Sequence, residues 1–238
     1  NLYFVKAYED LLKEHKIEPN QALLSLIQKR SVRTMSGVAP LTVITKPLPC
    51  PGKCTYCPTD VRMPKSYLPS QPAAQRGFRQ RFDPYSQVYV RLRALEMTGH
   101  EISKVELRIL GGTWSSYPRQ YQTWFVKRCL QAMNEFQEVR SSEFAVRSQR
   151  MSIKSRYGVD KISSVKLKGL ETGVSLVEAI RTNETAEVRC IGINIETRSD
   201  YIDAAEVRQL RKLGVTKVEM GVQTTDDRVQ ELTRRGHD

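Results

Sequence analysis

The sequence predicts an α/β protein in which parallel strands alternate with helices in right-handed β/α units. Two observations carry this. Short β-branched runs recur between amphipathic ones, and the amphipathic runs open on Asn, Asp or Pro and close on Gly.

In chain order, Asn20 caps a helix whose apolar side chains fall at 23, 24, 26 and 27. Leu41 to Thr45 reads as a strand, closed by Pro47 and Pro49 and running directly into a cysteine-rich loop. The proline-studded stretch from Pro58 to Pro72 has no periodicity and reads as a long loop. Asp83-Pro84 opens a helix over Tyr85 to Thr98, stopped by Gly99, and Lys104 to Leu110 follows as a strand ending on Gly111-Gly112-Thr113. A helix from Arg119 to Phe136, a strand from Val188 to Glu196, a helix from Ala204 to Leu213 and a strand from Val215 to Val222 complete the alternation. Helical signals resume at Asp226. Between the Arg119 helix and the third strand, Arg140 to Gly169 carries 8 basic and 2 acidic residues and reads as a basic insertion or a connector.

Composition bounds the function. At 39% apolar and 27% charged over 238 residues, the chain is globular, without an apolar run able to span a bilayer, so a cytoplasmic setting without membrane contact is expected. Asn1 to Phe4 resembles the remnant of a tag-cleavage site and is left out of the fold reasoning. The net charge of +12 is uneven: residues 1–150 hold 23 Lys and Arg against 12 Asp and Glu, and residues 151–238 hold 15 against 14. Clustered cations gain by displacing counterions from a phosphate backbone, so the first part should face nucleic acid.

Three of the five cysteines, Cys50, Cys54 and Cys57, fall within eight positions. An odd cluster cannot be satisfied by disulfides and points to metal or redox chemistry. Structural zinc takes four ligands, and the histidines, at 15, 100 and 237, are remote in sequence. Three thiolates on a 4Fe-4S cluster would leave one iron open to a substrate, at the C-terminal mouth of a parallel sheet where β/α proteins bind ligands. Cys129 and Cys190 lie in apolar patterns and read as packing residues.

The Cys50, Cys54, Cys57 spacing, with Tyr56 before the third cysteine, resembles the signature of radical S-adenosylmethionine enzymes. Gly111-Gly112-Thr113 resembles that family's glycine motif, where close approach to the methionine end requires residues without side chains. A narrower resemblance rests on Arg81-Phe82-Asp83-Pro84-Tyr85, Gly99-His100, Lys104-Val105-Glu106, Cys190-Ile191-Gly192-Ile193, Ile195-Glu196-Thr197-Arg198, Gly221-Val222-Gln223 and Arg235-Gly236-His237. In this order they are similar to the catalytic subunit of Elongator and its single-chain bacterial and archaeal relatives.

That resemblance implies a partial radical-SAM β/α barrel with an N-terminal helical basic extension, over 37–238 and 1–36 respectively, with a basic insertion at about 140–187. It implies carboxymethylation of the tRNA wobble uridine at C5, in which a 5'-deoxyadenosyl radical takes hydrogen from the methyl of acetyl-CoA and the carbon radical adds to the ring. The implied cofactors are a 4Fe-4S cluster and S-adenosylmethionine, with acetyl-CoA as co-substrate. Implied partners are the tRNA anticodon stem-loop, an electron donor, and a homodimer or an Elongator-like assembly.

By position, Cys50, Cys54 and Cys57 would ligate the cluster, Gly111, Gly112 and Thr113 would line the methionine end, and Glu196 and Gln223 the adenosyl or ribose end. Lys104 would contact acetyl-CoA, or stand as a solvated charge before a strand. Arg76, Arg79 and Arg81 alternate with Phe78, Phe82 and Tyr85, a pattern that suits phosphates and unpaired bases unless the aromatics anchor the loop in the core. Six β/α units are implied for a full core and four strands are counted, so a truncated core without the acetyltransferase domain, inactive alone, is expected. Other readings from the residues are a different radical-SAM RNA modifier, or a zinc-stabilised RNA-binding module.

Overall fold

A computed structural model describes residues 2–28, 30–141 and 173–237. Four parallel strands, β1 (Ala39–Ile44), β2 (Lys104–Leu110), β3 (Arg189–Thr197) and β4 (Lys217–Met220), form one sheet in sequential order. This is the expected α/β architecture. The register sets Ile44 beside Leu110 and Thr197 beside Met220, so the chain leaves all four strands at one rim. Thr45 extends the first pair by donating its N–H to the Leu110 carbonyl at 2.9 Å.

Helices α1 (Leu2–Lys13), α2 (Gln21–Ile27), α3 (Pro72–Arg79), α4 (Pro84–Glu96), α5 (Arg119–Asn134), α6 (Leu176–Thr185), α7 (Ala204–Lys212) and α8 (Asp227–Leu232) surround it. The expected caps form at Asn20 and Asp83, and Asp203 adds another: each accepts from a backbone N–H three residues on, satisfying donors left free by helix geometry. The main core lies between one sheet face and α4 to α7. Strand residues Leu41, Val43, Leu107, Ile109 and Ile195 meet Tyr85, Leu92, Phe125 and Met133 there.

Three helices depart from the sequence reading. α1 begins at Leu2, inside the stretch left out of the fold reasoning, and buries Val5 and Tyr8, whose hydroxyl accepts from the Asn20 N–H at 2.7 Å. α3 starts at Pro72, the last residue assigned to the loop, because proline at a first helical position costs no hydrogen bond. α6 lies within the region assigned to the basic insertion, of which 142–172 falls outside the described residues. β4 is shorter than expected and stops at Met220, where Gly221 N–H turns to the Thr197 carbonyl at 3.0 Å. No helix among the described residues is long and apolar enough to cross a membrane.

Candidate active site at the strand rim

The other sheet face is polar. Alternation along the strands turns Arg108, Asn194, Glu196 and Glu219 away from the core, and Arg108, Asn194 and Glu219 bond across three strands. Glu219 accepts from Asn194 Nδ2 at 2.6 Å, Arg108 Nη2 at 3.1 Å and Lys217 Nζ at 3.3 Å, and the Asn194 bond leads in holding its carboxyl below the usual range. Of this row the sequence reading named only Glu196; Arg108, Asn194 and Glu219 were missed, although polar and charged residues at every second strand position were their signal.

At the rim, a cavity of about 380 Å³ is lined by Cys50, Cys54 and Cys57, by Gly111, Gly112 and Thr113, and by Glu196 and Gln223. Eight of the predicted site residues therefore meet in one place. Cys50 Sγ lies 3.4 Å from Thr113 Oγ1, and Cys57 Sγ lies 3.1 Å from Ser66 Oγ. Cys54 is buried, with Arg198 Nη1 at 3.5 Å and Arg235 Nη1 at 3.7 Å from its sulfur. Burial pushes the Cys54 thiol up, but hydrogen bonds from Tyr56 and Arg235 and the charges of Arg235 and Arg198 outweigh it, and the net shift is downward.

Arg198 is fixed by a fork onto Asp200, at 2.8 and 2.7 Å, and by the Arg235 carbonyl at 2.6 Å. Gly52 makes room for it, since a Cβ there would sit 2.6 Å from Arg198 Nη1. Thr55 N–H donates to the Thr233 carbonyl at 3.0 Å, tying the cysteine loop to the end of α8. A Cβ at Gly111 would collide with Thr45 Oγ1, which explains glycine at that position. The Gly112 N–H donates to Tyr117 Oη at 2.7 Å.

Glu196 Oε2 accepts from the Tyr67 hydroxyl at 2.6 Å. Burial raises the Glu196 carboxyl, opposed by the Tyr67 bond, reinforced by Glu219 and opposed by Arg108. A carboxyl raised by folding destabilises the protein above its folded pKa and not below its unfolded one. Glu196→Gln keeps an acceptor for Tyr67 and is expected to raise the thermal midpoint at pH 7, with the gain vanishing below the ordinary carboxylate range. Melting curves across pH check this, and a gain independent of pH would contradict it.

The structure separates the remaining predicted residues from this cavity. Lys104 is exposed at the start of β2, at the opposite end of the strand from Gly111, in a cleft with Asn183, Arg189 and Cys190. Burial pushes the Cys190 thiol up to about 11 and raises that of the fully buried Cys129 well above its ordinary value. Arg79 and Arg81 are exposed and Arg76 is half-buried. Phe82 packs beside Ile44, Met63 and Ala74. Tyr85 requires a correction: it is 0% exposed, donates to Glu135 Oε2 at 2.8 Å and lies under the Arg128 guanidinium at 4.5 Å, so no base can stack on it. Phe78, 51% exposed beside Arg79 and Arg62, is the aromatic available to one.

No family model matches the sequence. The tRNA uridine(34) acetyltransferase of Methanocaldococcus jannaschii is 40% identical over 96% of this chain and 37% of its own length. Elongator complex protein 3 of Saccharomyces cerevisiae is 30% identical over 96% and 37%. The archaeal Methanocaldococcus infernus Elp3 with an N-terminal deletion superposes with a TM-score of 0.55 at 34% identity, over 85% of this chain and 32% of that one. The chain fits part of an Elp3-like protein. It spans little more than a third of the length of the curated Elp3 relatives it matches, and its parallel α/β sheet has the fold of the Elp3 neighbour.

No three His, Cys, Asp or Glu side chains among the described residues converge on one point as a single-ion site would require. A 4Fe-4S cube takes one thiolate on each of several irons and needs no such convergence. Three thiols on one loop of this Elp3-like chain, all lining one cavity, are a donor set that such a cube could take, and are one short of the four ligands of structural zinc.

Proposed function

We propose that this chain is the radical-SAM portion of a cytoplasmic tRNA wobble-uridine carboxymethylating enzyme that uses acetyl-CoA. The observation supporting it is the gathering of three cysteines, a glycine motif and a half-buried carboxylate at one rim of a parallel sheet, in a chain related to tRNA uridine(34) acetyltransferases.

Cys50, Cys54 and Cys57 would hold a 4Fe-4S cluster, and Arg198 and Arg235 would stabilise the Cys54 thiolate. With S-adenosylmethionine, the cluster would supply one-electron cleavage of a sulfonium bond. A methionine ammonium donates and needs acceptors, so the carbonyls of Gly111 and Gly112 would be the groups suited to it, while the Gly112 N–H is taken by Tyr117. Tyr67 fixes one Glu196 oxygen and would leave the other for a ribose hydroxyl, with Gln223 also lining the cavity. Lys104, remote from this cavity, would meet acetyl-CoA only at the opposite end of the sheet. Arg76, Arg79 and Arg81 would meet the anticodon stem-loop, with an electron donor and a homodimer or Elongator-like assembly as further partners. Turnover would need the acetyltransferase domain of a full-length protein.

Anaerobic iron-sulfur reconstitution of a full-length protein carrying this chain tests the reading. About four irons per chain, with S-adenosylmethionine split to methionine and 5'-deoxyadenosine, is expected. One tightly held zinc and no iron overturns it.

A further inference from the structure

Three arginines gather on the flank of the sheet, and none of them lines the rim cavity. Arg33 stands on the 3-10 turn Ser31–Thr34, Arg76 on α3 and Arg91 on α4. All three elements pack against β1, the edge strand.

The packing is specific. Gln87 on α4 brackets Ile44, donating to its carbonyl and accepting from its N–H, both at 2.9 Å. Gly77, the neighbour of Arg76, sits so close that a Cβ would collide with Ile44 and come within 3.2 Å of Gln87 Oε1. Arg91 lies one turn beyond Gln87 on the same face of α4. Thr34, the neighbour of Arg33, has its hydroxyl 2.9 Å from His100 Nδ1. The backbone bearing each arginine is thus anchored.

Each of the three side chains is partly buried, and none makes a hydrogen bond or ion pair among the described residues. Their mutual field is felt: burial and the Arg33 charge push Arg76 down, and burial with the Arg76 and Arg33 charges pushes Arg91 down to about 10. Folding therefore assembles like charges at a cost and leaves their donors unused. Guanidinium groups are weakly hydrated and present forked donors matched to phosphate, which would offset that cost on binding.

We infer that Arg33, Arg76 and Arg91 form a single phosphate clamp that grips the RNA backbone at the outer edge of β1, away from the reaction cavity. This rests on the proposal that the partner is tRNA. RNA is favoured over an acidic protein segment because the same helix α3 presents Phe78 and Arg79 in the adjoining groove with Arg62, and an exposed aromatic beside cations suits unpaired bases.

The test compares a full-length protein with its Arg33→Gln, Arg76→Gln, Arg91→Gln triple variant, measuring tRNA binding across a salt series together with thermal midpoints. The variant is expected to flatten the plot of log affinity against log salt by about 2 to 3. Its midpoint should hold or rise, since repulsion is relieved, and triple Arg→Lys should restore most of the slope. An unchanged slope with wild-type tRNA binding intact overturns the clamp alone. A flattened slope accompanied by a lower midpoint and no rescue by Lys makes the arginines structural and also overturns it. Loss of polyglutamate binding in the variant with tRNA binding unaltered would give the clamp to an acidic protein instead. Failure of the wild-type protein to bind tRNA in a salt-dependent way would sink the tRNA reading itself, and the clamp with it.

Discussion

Tyr85→Ala is expected to cost about 3–5 kcal/mol, the range for emptying a fully buried aromatic site. The ring packs between β1 and α5, its hydroxyl donates to Glu135 at 2.8 Å, and Arg128 covers its face at 4.5 Å, so truncation removes packing, a hydrogen bond and a cation–π contact together. At about 2–4 °C per kcal/mol for a chain of this size, the thermal midpoint should fall by roughly 10 °C. Calorimetry measures the drop. Tyr85→Leu, which refills much of the space, should melt higher than Tyr85→Ala and bind RNA as the parent does. If a base stacked on Tyr85, the folded Leu variant would lose about 1–3 kcal/mol of RNA affinity.

Cys54→Ala should abolish iron uptake, from about four irons per chain to near none, because a cube bound by three protein sulfurs tolerates the loss of none. RNA affinity should stay within about two-fold, since the cations proposed to hold phosphate lie outside the rim cavity. Thr55 N–H still donates to the Thr233 carbonyl after the sulfur is removed, so the loop keeps part of its anchoring. Iron analysis and a filter-binding curve on the same preparation report both halves. Undiminished iron would remove Cys54 from the ligand set.

The first two strands were legible because each is closed by its own local punctuation: Pro47 and Pro49 after β1, Gly111-Gly112 after β2. Cys50, Cys54 and Cys57 were legible for a related reason, since their spacing within one loop is itself the signal. Tyr67, Arg198, Arg235 and Glu219 were not identified as members of the site, because each reaches the cavity from a different segment and only tertiary packing brings them there. Tyr85 misled for the opposite reason. Its neighbours Arg79, Arg81 and Phe82 suggest an exposed recognition strip, whereas the cap at Asp83 starts α4 there and turns Tyr85 into the core. α3 was hidden by Pro72, and α6 by the basic composition that precedes it, although Ser175 and Glu178 carry a start signal three residues apart.

That start signal has a consequence for how the fold absorbs change. Ser175 and Glu178 exchange side-chain to backbone bonds, at 3.2 Å and 2.6 Å, so α6 satisfies its own first donors. Asn183 on the same helix then bonds to the Val188 carbonyl and the Cys190 N–H, setting where β3 begins. Asn134 on α5 holds the same helix through the Ala179 carbonyl and Asn183, so α6 and the start of β3 are indexed by their own bonds and by α5, and segments of differing length spliced in upstream of Ser175 can be accommodated without re-indexing the sheet.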